Sequence, residues 1–498
     1  MFDSLIKMFP RRALALGVSA ALGLLASGCS TIGPDFVAPK AVETPGYRHL
    51  DTAGATSVPA PVVADTARLP AAWWTVFNDA TLSALEERAL HDNPGVKVAA
   101  QRLLQAQAQL GVLRAGQAPS LSVNAGLSNS RSSAETPQGI ALGRRSIEGN
   151  TFSVGAALSY ELDLWGRVRR IVEAADAQAM AAQDDRDGVL LMLSSQVAQG
   201  YWQLRGLDAE QAILRDALAG RREAQQLVEA RFDAGLTNEL DVSRARVERA
   251  NAEADMHEVQ RQRNLVEHAL AILVGVSPST PLVAGEARPR LPLPPTIPVG
   301  LPASLLSQRP DLAASVDNLR AANAQVGVAE GMFYPSVTLT GNFGYASESL
   351  RDLAGGSARQ FSAGPLALSL PVFDGGRNKA NLALYKARYE EALANHENRL
   401  LTALREVEDA LSDAQQRQKQ GDVQQQAQEA SARALLVAQA RYERGISTYL
   451  DVTDAQRSAL AADRAAAQIR TQRLLASVAV ARALGGGWSQ GAPLATVR

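Results

Sequence analysis

Residues 230–242 read ARFDAGLTNELDV, and residues 440–452 read ARYERGISTYLDV. Gly235 aligns with Gly445, Leu240 with Leu450, Asp241 with Asp451 and Val242 with Val452. The offset is constant (445 − 235 = 210) and also pairs Gln262-Arg263 with Gln472-Arg473 and Gly275 with Gly485. Similarity at a fixed spacing means a chain built from repeated units. Working outward, PSLSV from Pro119 resembles PSVTL from Pro335, and DLWGR from Asp163 resembles DGGR from Asp374. Each half therefore gives strand, strand, long helix, turn, helix. The Pro-rich stretch LPLPPTIPVGLP at 291–302 has the composition of a linker between them.

Proline is absent from 138 to 277 and again from 372 to 492. Alanine, glutamine and arginine, all good helix formers, are abundant there. The spacing allows near-continuous helices from 167 to 234 and from 377 to 444, each reaching roughly 100 Å at 1.5 Å per residue. In the first return helix, Val242, Met256 and Leu270 form one heptad row. Ala245, Ala252, Val259, Val266 and Leu273 form the other, with Arg249 and Arg263 interrupting the first. Such a seam packs as a coiled coil. Gly235 and Gly445 are expected to end the long helices as C-caps, with a partner-binding role as the alternative. Thr237 and Ser447 are expected to cap the return helices or close the turns.

Four segments alternate with period two. Leu121, Val123, Ala125 and Leu127 alternate with Ser120, Ser122, Asn124 and Ser128. Phe152 to Leu162 and Val337 to Tyr345 behave likewise, and the fourth run is interrupted at Gly364-Pro365, where a bend or bulge is expected. Alternation alone fits a soluble sandwich or a transmembrane barrel. Runs of about ten residues are the mark of the latter. In lipid a sheet must close, and four strands are too few. The chain would then share its barrel with copies of itself around a rotation axis. Three copies would supply about twelve strands.

The N-terminus carries an address. Lys7, Arg11 and Arg12 precede an apolar run from Ala13 to Ala26, too short to span a bilayer comfortably. Leu25-Ala26-Ser27-Gly28-Cys29 follows. This is a secretory signal, and its end resembles the lipobox of bacterial lipoproteins. That likeness implies cleavage before Cys29 and acylation there, and Ser30 in the next position implies sorting to the outer membrane. The composition excludes several classes. The 50 basic and 51 acidic residues leave a net charge of −1, which argues against a nucleic-acid binder. A single cysteine rules out an intrachain disulfide. The five histidines show no metal-ligand spacing, so neither metal nor cofactor is expected beyond lipid at Cys29. No nucleophile–base pair or phosphate loop is evident, and the chain is not expected to be an enzyme. Phe36, Trp73, Trp74 and Trp488 suit packing better than a substrate box. Asp163 and Asp374 suit helix starts.

The stretches GPDFVAP (33–39), WWTVFNDATLSALEERALHDNP (73–94) and SYELDLWGRVRR (159–170) resemble the outer membrane factor family of TolC-like efflux ducts, above all its NodT-type lipoproteins. RPDLAASVDNLRAANAQVGVAEGMFYPSVTLTG (309–341), PVFDGGR (371–377) and ALGGGW (483–488) extend the resemblance over nearly the whole mature chain. It implies an α+β membrane protein: a homotrimer with a twelve-stranded transmembrane β-barrel continued by a twelve-helix periplasmic α-barrel. It also implies passive export, in which an inner-membrane RND-type pump supplies energy through a periplasmic adaptor (membrane fusion) protein. Arg231, Gly235, Leu236, Thr237 and Asp241 become the adaptor-docking candidates of the first tip, and Arg441, Gly445, Ile446, Ser447 and Asp451 those of the second. Charge pairs among Arg231, Asp233, Asp241, Arg441, Arg444 and Asp451 are candidates for resting closure. Family members close the periplasmic end with side chains of the second long helix. Residues 434–440 read ALLVAQA, so Leu435 and Leu436 are candidates for an apolar constriction. The alternative reading is a lipid-anchored periplasmic coiled-coil structural or adaptor protein, which leaves the paired strands unexplained.

The expected layout is a signal peptide over 1–28, a lipidated extension and equatorial segment over 29–77, and a first repeat over 78–284. That repeat holds a helix, strands near 119–130 and 150–163, a long helix 167–234, a tip 235–239 and a return helix 240–275. The crossing takes 285–302. The second repeat, 303–485, holds a helix, strands near 335–346 and 360–373, a long helix 377–444, a tip 445–449 and a return helix 450–484. A tail follows over 486–498.

Overall fold

The computed structural model describes residues 31–39, 46–48, 69–286, 289, 291–297 and 308–488. The signal segment, Cys29 and the last ten residues lie outside them. The elements are α1 (Ala80–Asp92), α2 (Pro94–Arg114), β1 (Ser120–Arg131), the short α3 (Pro137–Ala141), β2 (Glu148–Leu162), α4 (Arg167–Asp233) and α5 (Glu239–Val274). The second half follows with α6 (Pro310–Gly331), β3 (Ser336–Ser347), β4 (Arg359–Ser369), α7 (Arg377–Glu443) and α8 (Tyr449–Ala483). Both long helices have 67 residues. The chain divides into two units. One comprises residues 1–38, 104–181 and 316–395; the other comprises 39–103, 182–315 and 396–498.

The first unit holds one antiparallel sheet in the order β1-β2-β3-β4. Its register puts apolar residues in rows: Leu121 faces Leu158, Leu127 faces Phe152, and Ala156 faces Phe343. Because side chains alternate between faces, one face is apolar from Leu121 to Leu127 and across the facing residues of β2 to β4, with Asn129, Asn150, Arg131, Glu148 and Arg359 at its end, and the other face is mainly small and polar. The apolar face is uncovered: Val123 is 74% exposed and Phe361 78%. The register shifts between Leu339 and Gly341 opposite Gly364-Pro365, where β4 carries one extra residue. Gly364 has φ +92°, and proline supplies no ladder donor, so a bulge forms there. β4 ends at Ser369 rather than 373, with Val372 and Phe373 beyond it 90% and 92% exposed.

Both strand-to-helix junctions are held by carboxylates. Asp163 accepts the backbone N–H of Val168 at 3.0 Å and of Arg169 at 2.8 Å. Asp374 accepts those of Gly376 and Asn378, both at 2.9 Å. These are otherwise orphaned donors at a positive helix end. The segment around Gly33 is clamped by buried Arg170, which donates to the carbonyls of Ile32 and Gly33 and to Asp35. A Cβ on Gly33 would stand 2.4 Å from the Gly327 Cα, so no other residue fits.

The second unit is built on an aromatic core. Trp73, Phe77, Tyr201, Trp202 and Trp488 are buried with Leu82, Leu204 and Leu474. Trp73 donates to Ser194 at 3.0 Å and Trp488 to Asp187 at 3.0 Å, whereas the buried Trp202 indole N–H has no hydrogen-bond partner among the described residues. Between α1 and α2 stands Asn93, extended because a residue before proline avoids the helical region. Its side-chain N–H donates to the Leu273 carbonyl, which ties the break to α5. Along α5, Val242, Ala245, Ala252, Val259 and Leu270 are buried. Arg263, which interrupts that seam in sequence, is buried too. It is neutralised by Asp208 at 2.7 Å and Glu267 at 2.7 Å, as a buried charge requires.

Candidate functional site: the hairpin turns and the open sheet edges

The two hairpin turns lie in the second unit and share one backbone design. Gly235 and Gly445 both have φ +74°. The N–H of Gly235 reaches the Phe232 carbonyl, and that of Leu236 reaches the Arg231 carbonyl. Gly445 and Ile446 repeat this with Tyr442 and Arg441. This is the Schellman arrangement, which satisfies orphan carbonyls and needs a left-handed residue. Its apolar end residues, Leu236 and Ile446, are 74% and 63% exposed.

The caps stand one residue later than expected. Asn238, not Thr237, caps α5 by accepting the Asp241 N–H at 3.1 Å. Thr448, not Ser447, caps α8 in a capping box with Asp451, whose Oδ2 accepts the Thr448 N–H at 3.0 Å. The shift has a simple cause: the Schellman turn uses residue 236 or 446, and the chain needs two more residues to reverse. Thr237 donates instead to Asp241 at 2.7 Å. Both tip aspartates thus serve their own helix starts, and Arg244 adds a 3.6 Å ion pair to Asp241.

A cation–aromatic contact and a small apolar core join the two hairpins at their turns. The Arg231 guanidinium lies 4.6 Å from the Tyr442 ring centroid, and its Nη1 donates to the Tyr442 carbonyl at 3.5 Å. The Tyr442 and Tyr449 rings lie 5.6 Å apart, tilted by 55°, and close a small core with Val228, Val242, Ala245 and Val452. Behind it, Glu248 is buried between Arg221 at 3.2 Å and Arg457 at 2.5 Å. Tyr442, Glu248 and Asn238 were not singled out in sequence. The contacts of the first two join distant parts of the chain and leave no local signal, and Asn238 is a favoured cap type that stands beside Thr237, itself a cap type. Leu435 is half-buried, and Leu436 is 67% exposed.

The other candidate surface is in the first unit. Among the described residues, β1 and β4 each have one edge without a partner strand. Among the described residues no helix is long and apolar enough to cross a membrane, and no cluster of three or more His, Cys, Asp or Glu residues could hold a metal ion.

The family model of the outer membrane efflux protein matches residues 85–276 and again 301–486, once in each repeat. The outer membrane protein OprJ of Pseudomonas aeruginosa is 34% identical over 487 residues, 97% of this chain and 98% of that protein. The solved outer-membrane channel OprN superposes with a TM-score of 0.83 at 32% identity, covering 92% of this chain and all of the other. The CmeC outer membrane channel of Campylobacter jejuni gives 0.85 at 26% identity, covering 93% and 97%. The chain belongs to the outer membrane efflux protein family.

Proposed function

We propose that three copies of this chain close into one barrel and one helical tunnel, a passive duct through the outer membrane. The observation that carries this reading is the four-stranded sheet with two free edges and an uncovered apolar face. Lipid can cover the face, but free edges in lipid would leave backbone donors and acceptors unpaired. A neighbouring copy supplies β1 to β4, and cyclic closure then leaves no edge. A periplasmic adaptor and an inner-membrane RND-type pump deliver small molecules to the tunnel, and the chain itself performs no catalysis. The adaptor docks on the turns around Arg231, Gly235, Leu236, Thr237, Asp241, Arg441, Gly445, Ile446, Ser447 and Asp451. Acyl chains on Cys29 anchor the duct in the outer membrane, and several chains hold far more firmly than one. Leu435 and Leu436 narrow the tunnel.

The repeat fixes the register of the shared seam. Ser120 corresponds to Ser336, since both face the equivalent residues Ser159 and Ser369. Within the chain, Ala156 faces Phe343. The equivalent pair is Leu366 of one copy and Leu127 of the next. Both carry apolar side chains on the uncovered face, 60% and 67% exposed. The test joins two measurements on the lipoprotein extracted in detergent. Native mass should equal three chains. A Leu127→Cys/Leu366→Cys variant should form disulfide-linked oligomers, because directly opposed Cβ atoms lie about 5 Å apart. A monomer without the cross-link would end this reading.

A further inference from the structure

Repetition makes a demand on the hairpin turns as well. Inside one chain, Arg231 of the first repeat packs over Tyr442 of the second. With the 210-residue offset, Arg231 corresponds to Arg441, and Tyr442 corresponds to Phe232. The equivalent contact therefore has both of its members, a guanidinium and an aromatic ring. The ion pairs between the hairpins do not recur. Glu248–Arg457 would map to Ser458 and Val247, and Glu210–Arg464 to Gln420 and Ala254. The guanidinium and the ring, by contrast, are both repeated at the turn.

Both members are unused within the chain. Phe232 is 43% exposed, whereas Tyr442 is 9% exposed. The Arg441 side chain is exposed and makes no hydrogen bond or ion pair among the described residues. A guanidinium over an aromatic face is attracted by the ring quadrupole, and more strongly once water is excluded. That supplies a reason to keep an aromatic ring on an otherwise exposed helix end.

We propose that Arg441 of one copy packs over the Phe232 ring of the next copy, so that the hairpin turns form a continuous ring of six arginine–aromatic contacts. This rests on the three-copy duct. Three of the contacts, Arg231–Tyr442, lie within chains. The other three, Arg441–Phe232, exist only between chains and lack the phenol. The partner surface is a second copy of this chain, and the contact is incomplete without it.

The experiment uses the full lipoprotein in outer-membrane fractions. A Phe232→Cys/Arg441→Cys variant is treated with a short bismaleimide, with each single variant alongside. The expected result is loss of the monomer band to covalent dimers and trimers in the double variant, with neither single variant shifting beyond a dimer. The Leu127→Cys/Leu366→Cys variant monitors the ring itself. If that pair links and the tip pair does not, the tip contact is refuted and the duct stands. If neither links, both readings fall. A second readout guards against a distorted tip: the trimer's dissociation temperature should drop in Phe232→Leu and in Arg441→Ala, but stay near the parent in Phe232→Tyr. An equal drop in Phe232→Tyr, or none in the other two, would overturn the contact.

Discussion

Arg231 and Tyr442 stand 211 positions apart in sequence, yet the guanidinium of one lies 4.6 Å from the ring centroid of the other. The two hairpins of a chain are thereby tied at their far ends. Removing the cation by Arg231→Ala should loosen the turn at 442–449 without unfolding the helices, at a cost of about 1–2 kcal/mol for this largely desolvated contact. Amide exchange of residues 442–449 in the trimer reads this directly. Arg231→Lys should retain part of the protection. Unchanged exchange in Arg231→Ala would show that the small core of Tyr442, Tyr449 and Val452 holds the turn alone.

Asp451 offers a separation of charge from geometry. Its Oδ2 accepts both the backbone N–H and the hydroxyl of Thr448. Asp451→Ala should cost about 0.5–2 kcal/mol through loss of the cap. Asp451→Asn keeps an accepting oxygen and should cost little. If tip charges also latch the resting duct, Asp451→Asn should raise conductance in planar bilayers while leaving amide exchange near the parent. Equal conductance would leave Asp451 as a cap alone.

How far the fold could be read in advance follows from which signals are periodic. The repeat, the alternating strands and the proline-free helices are patterns over many residues, and they survive noise at any one position. The cap positions depend on a single residue: Thr237 and Ser447 are acceptable caps by type, yet the Schellman turn places Asn238 and Thr448 at the helix start. Arg263 looked like an interruption of the heptad and is instead a buried, paired member of it. The role of Arg170 in holding the chain at Gly33 joins residues 137 positions apart, which no local pattern could reveal. The same holds for the Arg231–Tyr442 contact.

Glu86 gives the chain a pH dependence. It is fully buried on α1, both carboxylate oxygens lack a hydrogen-bond partner, and burial pushes its pKa well above the ordinary value. The folded state therefore holds a proton that the unfolded state has released. Stability from this group is complete below the unfolded pKa and is lost as pH rises from there to the folded pKa. Glu86→Gln removes the ionisable group while keeping its shape. The melting temperature of the variant should exceed the parent's by more at pH 8 than at pH 5. A constant difference across that range would place the carboxyl in contact with water or a cation.

Glycine tips are open to two explanations, helix termination and service to a partner, and the structure supplies a way to divide them. A Cβ built on Gly445 meets nothing within 4 Å, whereas one on Gly485 would stand 1.6 Å from the Gln308 carbonyl oxygen. Gly485→Ala should therefore be strongly destabilising. Gly445→Ala pays only the left-handed backbone cost, about 1–2 kcal/mol. Gly445→Asn pays less, because asparagine tolerates that conformation. If termination is the whole role, Gly445→Asn should assemble, melt and export like the parent. If the bare backbone is what an adaptor grips, the same variant should assemble and melt normally yet lose export in cells, since the added side chain would obstruct only a partner. Normal export in Gly445→Asn, with Gly235→Asn alongside, would remove both glycines from the docking surface.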